Sequence, residues 1–383
     1  MIEFEPTLGK VEREAIERPL VVLYGCHEIG YPRNATVARM LLKAGFQVEI
    51  CHSRKSYPFR HLDLLRQFGR FRRRAKFVWV TEGGYRLVPL LKATLLRSGV
   101  PIVYDPFISR YDTYVQDRAT VRPGSLEAAI LTWHDWSSTH AADALVFDTR
   151  DHQEYFFRRY SLDSPAMVLP VSIREDLFVP PASFETTKTG SGPVRVLFYG
   201  TFIPLQGIEQ IVRAAALLHD RQDVVFRIVG AGQTREGILK LHQELGKGRI
   251  EWLDPVPEDA LGGLIREADI CLGVFGTSDK AGRVVPNKVV QAAAMGKAIV
   301  TRASHAMEEY FQDGRSIRMC AAGDPDSLAS AIVELAQEPA SRARLGAAAR
   351  EVFQRNFSLD VNAGRLGDWL RSGFRVPVRS PCA

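Results

Sequence analysis

The sequence predicts an α/β protein made of two Rossmann-like, doubly wound domains. Short runs of β-branched and aromatic residues alternate with helical stretches from residue 19 onward. This alternation stops once, in a segment rich in Pro, Gly, Ser and Thr at 181–193, and then restarts. A length of 383 residues also suits two domains of ordinary size. We therefore expect a parallel sheet in each half of the chain, with a linker at the break.

The first domain, residues 1–180, begins with a strand predicted at 20–24 and a loop containing Gly and Pro at 25–34. A helix is expected over 35–44, because Gly45 can adopt the left-handed conformation that ends helices. Further strands are predicted at 47–51, 77–80, 102–104, 144–147 and 166–169. The intervening helices are predicted at 87–97, 125–140 and 152–160.

The second domain, residues 194–355, repeats the pattern. Its strands are predicted at 194–199, 224–229, 250–253, 270–274 and 298–300. Its helices are predicted at 207–218, 235–245, 261–268 and 288–295. The chain beyond Asp326 is rich in Ala and Arg and reads as helical to about Leu370. Residues 356–383 then form a C-terminal helical segment that returns to the first domain.

Composition argues against several classes of protein. No apolar run reaches the ~18–20 residues of a membrane-spanning helix. The acidic N-terminal stretch lacks the basic and apolar regions of a secretory signal, so we expect a cytoplasmic protein. The 5 cysteines are scattered without a CxxC pair, which indicates reduced, buried thiols. The formal net charge of +6 suits an anionic substrate, a membrane surface or nucleic acid, and charge alone does not choose among them.

Ligands of open parallel sheets bind beyond the carboxyl ends of the strands, so the loops that follow strands are candidate sites. In the second domain these loops are 200–207, 230–232, 253–257 and 280–288. The first two contain glycines that would let a ligand approach the backbone, although tight turns explain them equally well: Gly200, Gly207, Gly230 and Gly232. Prolines stiffen the third loop, and its free backbone groups around Val256 can read a nucleobase edge.

The fourth loop carries cations. It places Lys280, Arg283 and Lys288 just before a predicted helix N-terminus. Cations at that end oppose the helix dipole and cost stability unless an anion lies nearby. A bound anion is one interpretation of this loop, and a solvated surface is the other.

Several segments, taken in order, resemble the retaining glycosyltransferases of family four, the glycosyl transferases group 1, which have the two-domain GT-B fold. The likeness extends over nearly the whole chain and is densest from 194 to 356. It rests on Phe198-Tyr199-Gly200 through Gly207, Ile228 through Gly232, Ala268-Asp269-Ile270, Gln291 through Val300, and Glu309 through Gly314. In the first domain, 142–146 and 168–173 with Phe178 look like the family's approach to its linker.

This resemblance implies two Rossmann-like domains that face each other across a cleft. The second domain would hold a nucleotide-diphosphate sugar, and the first would hold a glycan, lipid-linked or small-molecule acceptor. Transfer would proceed with retention of configuration. A non-catalytic GT-B binding or scaffolding subunit and a sugar-nucleotide epimerase remain as alternatives. A nicotinamide dehydrogenase is disfavoured, because no GxGxxG with a following acidic residue is present.

The donor site implied by the resemblance departs from the family pattern in its charges. Where many members have an Arg and a Lys, this chain has Thr201 and Gln206. The family's two glutamates fall on Arg283 and Gln291. We expect the phosphate clamp to be relocated to Arg283 and Lys288, which then act catalytically by neutralising the diphosphate leaving group.

Three further groups complete the implied donor site. Backbone amides near Gly207 would help to hold the diphosphate. The Gln291 amide can hydrogen-bond ribose hydroxyls, because it offers both donors and an acceptor. Glu309 matches the family's acidic residue near the sugar or ribose, with a helix-cap role as the alternative.

In the first domain the resemblance points to four residues at the cleft. Gly30 would donate a backbone N–H to the diphosphate, and Arg33 would contact donor or acceptor. Asp105 stands where many members carry a histidine, and it would position the acceptor or stabilise charge, with Asp112 close behind. No cofactor is expected beyond the sugar nucleotide. No metal is expected either, because no Asp-x-Asp stands in a cleft loop and cations take the place of the metal.

Cations are interleaved with apolar residues at helical spacing from Arg66 to Lys76. Such a stretch can lie on an anionic membrane surface, where a lipid-linked acceptor would be found. A solvated helix flank explains it equally well. Nucleic acid is not expected as a partner, because the sequence contains no recognised module or aromatic platform. The location expected is therefore the cytoplasm, with peripheral contact at the inner face of the membrane.

Overall fold

A computed structural model describes residues 18–26, 30–56, 59–96, 98–180 and 192–374. Within these ranges lie two parallel sheets of six strands each, one in each half of the chain. The predicted class, two doubly wound α/β domains, is therefore confirmed. Most of the linker predicted at 181–193 lies outside the described residues. No helix in the described part of the chain is both long and apolar enough to cross a membrane.

The first sheet is formed by β1 (Leu20–Cys26), β2 (Gln47–His52), β3 (Ala75–Val80), β4 (Ile102–Tyr104), β5 (Ala144–Phe147) and β6 (Ala166–Val168). The helices beside it are α1 (Pro32–Lys43), α2 (Phe59–Gly69), α3 (Leu87–Leu95), α4 (Leu126–Ala141) and α5 (Arg150–Tyr160). A π-helical turn, Asp112–Asp117, precedes α4. The strand order is β2-β1-β3-β4-β5-β6, so the direction of winding reverses between β1 and β3.

The second sheet is formed by β7 (Val194–Tyr199), β8 (Val224–Val229), β9 (Ile250–Leu253), β10 (Ile270–Leu272), β11 (Ala298–Arg302) and β12 (Arg318–Cys320). Its helices are α6 (Ile208–Leu217), α7 (Arg235–Leu245), α8 (Glu258–Glu267), α9 (Asp279–Gly282), α10 (Asn287–Ala294), α11 (His305–Glu308), α12 (Pro325–Gln337) and α13 (Pro339–Asn356). The last helix of the chain is α14 (Leu359–Arg371). The strand order is β12-β11-β10-β7-β8-β9, with the reversal between β7 and β10.

The strands read as continuous apolar runs because helices cover both faces of each sheet. Successive β1 residues Val21, Val22 and Leu23 are all fully buried. Val22 faces the core beneath α2 and α3, whereas Val21 and Leu23 face the core shared with α1 and α14. The C-terminal helix α14 therefore packs on the first domain, as the sequence predicts.

Two local predictions were wrong, and a third region is divided more finely than expected. The helix α1 begins at Pro32 within the predicted loop, since proline suits the first turn of a helix. The stretch from Arg66 to Lys76 is divided among the end of α2, a turn and the start of β3, because Leu64 and Phe68 are drawn into the core. The C-terminal region after Asp326 is three helices separated at Glu338 and Phe357, and of these α14 is the one that packs on α1.

Candidate functional site

Loops at the carboxyl ends of the two sheets contact each other, and we call the region between the two domains there the cleft. The Thr149 hydroxyl, after β5, donates to the carbonyl oxygen of Arg283 at 2.5 Å. The Arg283 guanidinium donates to Oδ1 of Asp112 in the π-helical turn at 2.7 Å. The functional loops predicted in the second domain therefore face the first domain.

A cavity of about 220 Å³ lies at the carboxyl ends of β7 and β8. Its lining residues are Tyr199, Gly200, Thr201, Val229, Gly230, Ala231, Pro255, Val256 and Leu261. The cavity therefore brings together three of the four loops singled out in the sequence. Leu261, on α8, is a lining residue that the sequence did not reveal, because nothing distinguishes it from an ordinary core leucine.

The glycines of these loops allow backbones to approach each other. Gly230 has a φ of +141°, and a Cβ there would lie 2.0 Å from the carbonyl oxygen of Gly200. Gly207 has a φ of +60°, and its Cβ would lie 2.3 Å from the carbonyl carbon of Phe275. Gly232 packs against Phe202 in the same way. Packing of the loops thus requires these glycines, whether or not their amides also contact a ligand.

Lys288, in the first turn of α10, points into this region. Its amine donates to Oε1 of Gln206 at 2.5 Å and lies 3.7 Å from the centroid of the Phe198 ring. A Cβ on Gly200 would lie 3.0 Å from the same amine, so Lys288 borders the cavity wall. Burial lowers the pKa of Lys288 well below its ordinary value. Among the described acidic side chains, none forms an ion pair with it.

The resemblance leads one to expect a lysine at the position of Gln206, and the Lys288 amine lies beside that glutamine. The fold thus brings together two residues that are separated by 82 positions in sequence, and contact of Lys288 with a diphosphate stays a prediction. A buried cation without an anionic partner is costly, and a bound phosphate would remove that cost. The geometry is thus suited to an anionic group in front of Gly200.

Gln291, one helical turn after Lys288, is oriented by Tyr199. The Tyr199 hydroxyl donates to Oε1 of Gln291 at 2.9 Å and lies 3.2 Å from the carbonyl oxygen of Lys288. Burial raises the pKa of Tyr199 well above its ordinary value, so the hydroxyl keeps its proton. The Gln291 amide nitrogen is thereby left as the donor of that side chain. Tyr199 was not predicted as a positioning residue, although it directly precedes Gly200.

In the first domain, Arg33 and Asp105 form a buried ion pair. Nε of Arg33 lies 2.9 Å from Oδ2 of Asp105, and its guanidinium also donates to the carbonyl oxygen of Leu169 at 3.0 Å. The two residues are 3% and 1% exposed. Burial raises the pKa of Asp105, although Arg33 opposes the shift. Contact of either residue with an acceptor stays a prediction, as does donor contact by Gly30, an exposed residue just before α1.

The sequence analysis placed Asp112 near the acceptor and Arg283 at the donor diphosphate. In the structure these two side chains bind each other across the cleft. Two more contacts join the same elements. The Lys280 amine donates to the Thr113 hydroxyl at 2.5 Å, and the Ser278 hydroxyl donates to Oδ1 of Asp117 at 2.9 Å. We call these three contacts the interdomain latch. Sequence separations of more than 160 residues hid this arrangement from sequence reasoning.

Two acidic groups lie apart from the cavity. Glu309 follows α11, and its Oε1 is 3.8 Å from Nε of Arg150 in the first domain. Asp148 accepts from Nδ1 of His152 at 2.6 Å, and both side chains are buried. His152 was missed, although its spacing of four residues from Asp148 on a helix start was a usable signal. The described residues contain no group of three or more His, Cys, Asp or Glu that could hold a metal ion.

Residues 193–338 match the family described as Glycosyl transferases group 1. The matched segment extends from the start of the second domain to the end of α12. Among relatives, the D-inositol 3-phosphate glycosyltransferase of Thermomonospora curvata is 27% identical over 292 residues, which cover 70% of this chain and 65% of the relative. The GDP-mannose-dependent alpha-(1-6)-phosphatidylinositol monomannoside mannosyltransferase of Mycolicibacterium smegmatis is 25% identical over 243 residues. These residues cover 61% of this chain and 63% of the relative. The chain thus spans just under two thirds of these relatives.

Solved structures of glycosyltransferases share the fold over most of the chain. Sucrose-phosphate synthase from Thermosynechococcus elongatus superimposes with a TM-score of 0.73 at 16% identity, covering 93% of this chain and 99% of that one. Anabaena Alr3699/HepE in complex with UDP and glucose gives a TM-score of 0.67 at 14% identity. The superposition covers 93% of this chain and 100% of that one. The chain therefore has the GT-B fold.

Proposed function

We propose that this protein is a glycosyltransferase that binds a nucleotide-diphosphate sugar in the cavity of the second domain and transfers the sugar to an acceptor in the cleft. The observation that carries the proposal is the buried Lys288 amine beside Gly200 of that cavity, which forms no ion pair with any described acidic side chain. The names of the relatives support it, since both are transferases and one is named as GDP-mannose-dependent. The UDP and glucose held by Anabaena Alr3699/HepE support the same kind of donor.

In the proposed complex the nucleoside lies against Pro255, Val256 and Leu261, and the diphosphate lies in front of Gly200. The Lys288 ammonium stabilises the negative charge that develops on the diphosphate as its bond to the sugar breaks. The low dielectric around the amine strengthens that interaction relative to water. Gln291 donates to the ribose, and the cations make a metal ion unnecessary.

We infer that transfer retains the configuration of the sugar. The acceptor hydroxyl attacks on the face from which the diphosphate departs, and its proton passes to the departing phosphate oxygen. This route needs no separate protein base. The buried Asp105 then acts by holding Arg33, and Arg283 becomes a second phosphate ligand when it leaves Asp112.

The acceptor is proposed to be a glycan, a lipid-linked molecule or a small molecule reached at the cytoplasmic face of a membrane. The relatives named above act, by their names, on D-inositol 3-phosphate and on a phosphatidylinositol monomannoside. In this chain, Arg66, Arg70, Arg73, Arg74 and Lys76 are exposed, which supports contact with an anionic lipid surface.

The test measures thermal stability against UDP, GDP, ADP, dTDP, CMP and their sugar conjugates, followed by donor turnover. A ligand at 100 times its Kd should stabilise the fold by about 2.7 kcal/mol. Lys288→Met should lower kcat/KM for the donor by about 10²–10³-fold. The matched control is Lys297→Met, which removes another buried lysine that instead binds the carbonyl oxygens of Arg266 and Ala268. This control should leave turnover by the folded protein unchanged.

Two results would overturn the proposal. A folded protein that no sugar nucleotide stabilises would be a non-catalytic GT-B subunit. Release of free nucleotide at the same rate with and without any acceptor would indicate an epimerase or hydrolase.

A further inference from the structure

One helix of the first domain exposes a row of large apolar side chains. On α4, Leu126, Ile130, Trp133 and Trp136 are 79%, 45%, 58% and 46% exposed. We call these four residues the tryptophan face. The opposite side of α4 is already packed, because Ala128 and Leu131 are buried in a small core with residues of the preceding loop. The exposed row therefore does not belong to the core of the first domain.

Two other helices on the same side of the sheet also expose large apolar side chains. Successive right-handed crossovers that move in one direction along the sheet place α2, α3 and α4 on the same side of it. α2 and α3 bury their inner residues in one shared cluster, and α4 packs on α3. Their outward residues Phe59, Leu62 and Leu96 are 64%, 64% and 74% exposed. Several large apolar side chains exposed on one side of a domain indicate an interaction site.

The stretch from α2 to the start of β3 is strongly positive, and α4 itself carries one exposed acidic residue, Glu127. The cations from α2 to the start of β3 that are exposed are Arg66, Arg70, Arg73, Arg74 and Lys76. Asp63 is the acidic residue of this stretch, and Oδ1 of Asp63 is held by the Lys55 amine at 3.2 Å. Like charges would repel a second copy of the same surface, whereas an anionic surface complements it.

We propose that the tryptophan face docks the protein onto an anionic lipid bilayer, with Trp133 and Trp136 at the level of the headgroups. Indole rings favour that level because they combine a large apolar surface with one polar N–H. The cations of the turn after α2 then lie over the anionic headgroups. This inference rests on the membrane contact included in the proposed function, and it identifies α4 as the element that inserts.

Flotation with vesicles tests the docking surface. We expect binding to vesicles of phosphatidylglycerol and phosphatidylcholine, and little binding to phosphatidylcholine alone. The double variant Trp133→Ser/Trp136→Ser should lower the partition coefficient about ten-fold. The matched control Leu217→Ser changes an apolar residue of the second domain that is 49% exposed, and it should bind like the wild type. Equal binding by the double variant and the wild type would overturn the inference.

Fluorescence distinguishes insertion from simple adhesion. Trp79 and Trp369 are buried and Trp252 is half-buried, so quenching by lipids brominated in their acyl chains should come from Trp133 and Trp136. Trp133→Phe/Trp136→Phe should keep vesicle binding and lose the quenching. A wild type that is not quenched would exclude insertion of α4. A dimer in light scattering that the Ser variant dissociates would instead identify an interface between copies. Donor-induced stabilisation without vesicle binding would overturn this inference alone and leave the transferase proposal standing.

Discussion

At the scale of single residues, Lys288 shows how an unfavourable side chain can indicate a ligand. Its amine is enclosed by Phe198, Gln206 and Gly200, without a carboxylate. The folded state disfavours the protonated form because burial lowers the pKa of Lys288. The unfolded chain binds that proton more readily, so this group makes the folded state more stable as pH rises towards the ordinary pKa of 10.5.

A nucleoside diphosphate should reverse this effect by raising the pKa of Lys288 in the complex. Between the unbound and bound pKa values, binding should therefore take up as much as about one proton per site. Calorimetric titration in two buffers of different ionisation enthalpy measures this uptake. Lys288→Met should abolish it, whereas Lys297→Met should preserve it. The same uptake in both variants would show that another group is protonated.

At the scale of elements, α8 joins the two domains through a glycine. A Cβ on Gly262 would lie 2.5 Å from the carbonyl oxygen of Leu177, in the last part of the first domain before the linker. The next residue, Gly263, is exposed and has no atom within 4 Å of a Cβ position. The same helix thus contains a glycine that packing requires and another that it does not.

These neighbouring glycines provide a matched pair of substitutions. Gly262→Ala should reduce the free energy of unfolding by about 1–3 kcal/mol, because the added methyl group overlaps a backbone oxygen. Gly263→Ala should increase it by as much as about 1 kcal/mol, because alanine favours the helix. Urea unfolding followed by circular dichroism measures both. Equal effects of the two substitutions would contradict the close contact of α8 with Leu177.

At the scale of the whole molecule, the interdomain latch connects the two domains through side-chain hydrogen bonds. It uses α9 and the loop after it on one side, and the π-helical turn on the other. The Asp112 side chain is 2% exposed, so loss of Arg283 would leave a buried carboxylate unpaired. Arg283 thus has two states in the proposed reaction, one bound to Asp112 and one bound to phosphate.

Removing the arginine should therefore open the cleft. We expect Arg283→Ala to raise the radius of gyration by an amount on the order of 1 Å, as hinge opening does. Small-angle X-ray scattering measures the change. Arg318→Ala is the control, because it breaks a comparable ion pair, with Asp313, inside the second domain. An unchanged radius in Arg283→Ala would show that the other interdomain contacts keep the cleft closed.

The sequence by itself determined the two α/β units and most of their strands. The bounds of β4, β5, β7, β8 and β9 coincide with the predicted ones, because a strand buried on both faces is a short continuous apolar run. It also placed Gly200, Thr201, Gly230 and Val256 in loops at the correct edge of a sheet, where the cavity lies. Helical spacing was recognised there only from Arg66 onward, so the first part of α2 was not predicted.

The tertiary structure alone decided which side chains meet. It paired Arg33 with Asp105, Lys288 with Gln206, and Arg283 with Asp112, over sequence separations of 72, 82 and 171 residues. Such partners depend on how the sheets and the two domains pack, and no local pattern encodes that packing. The exposure of Trp133 was hidden for the same reason, because a helix of mixed apolar and polar residues does not reveal which side the rest of the protein covers.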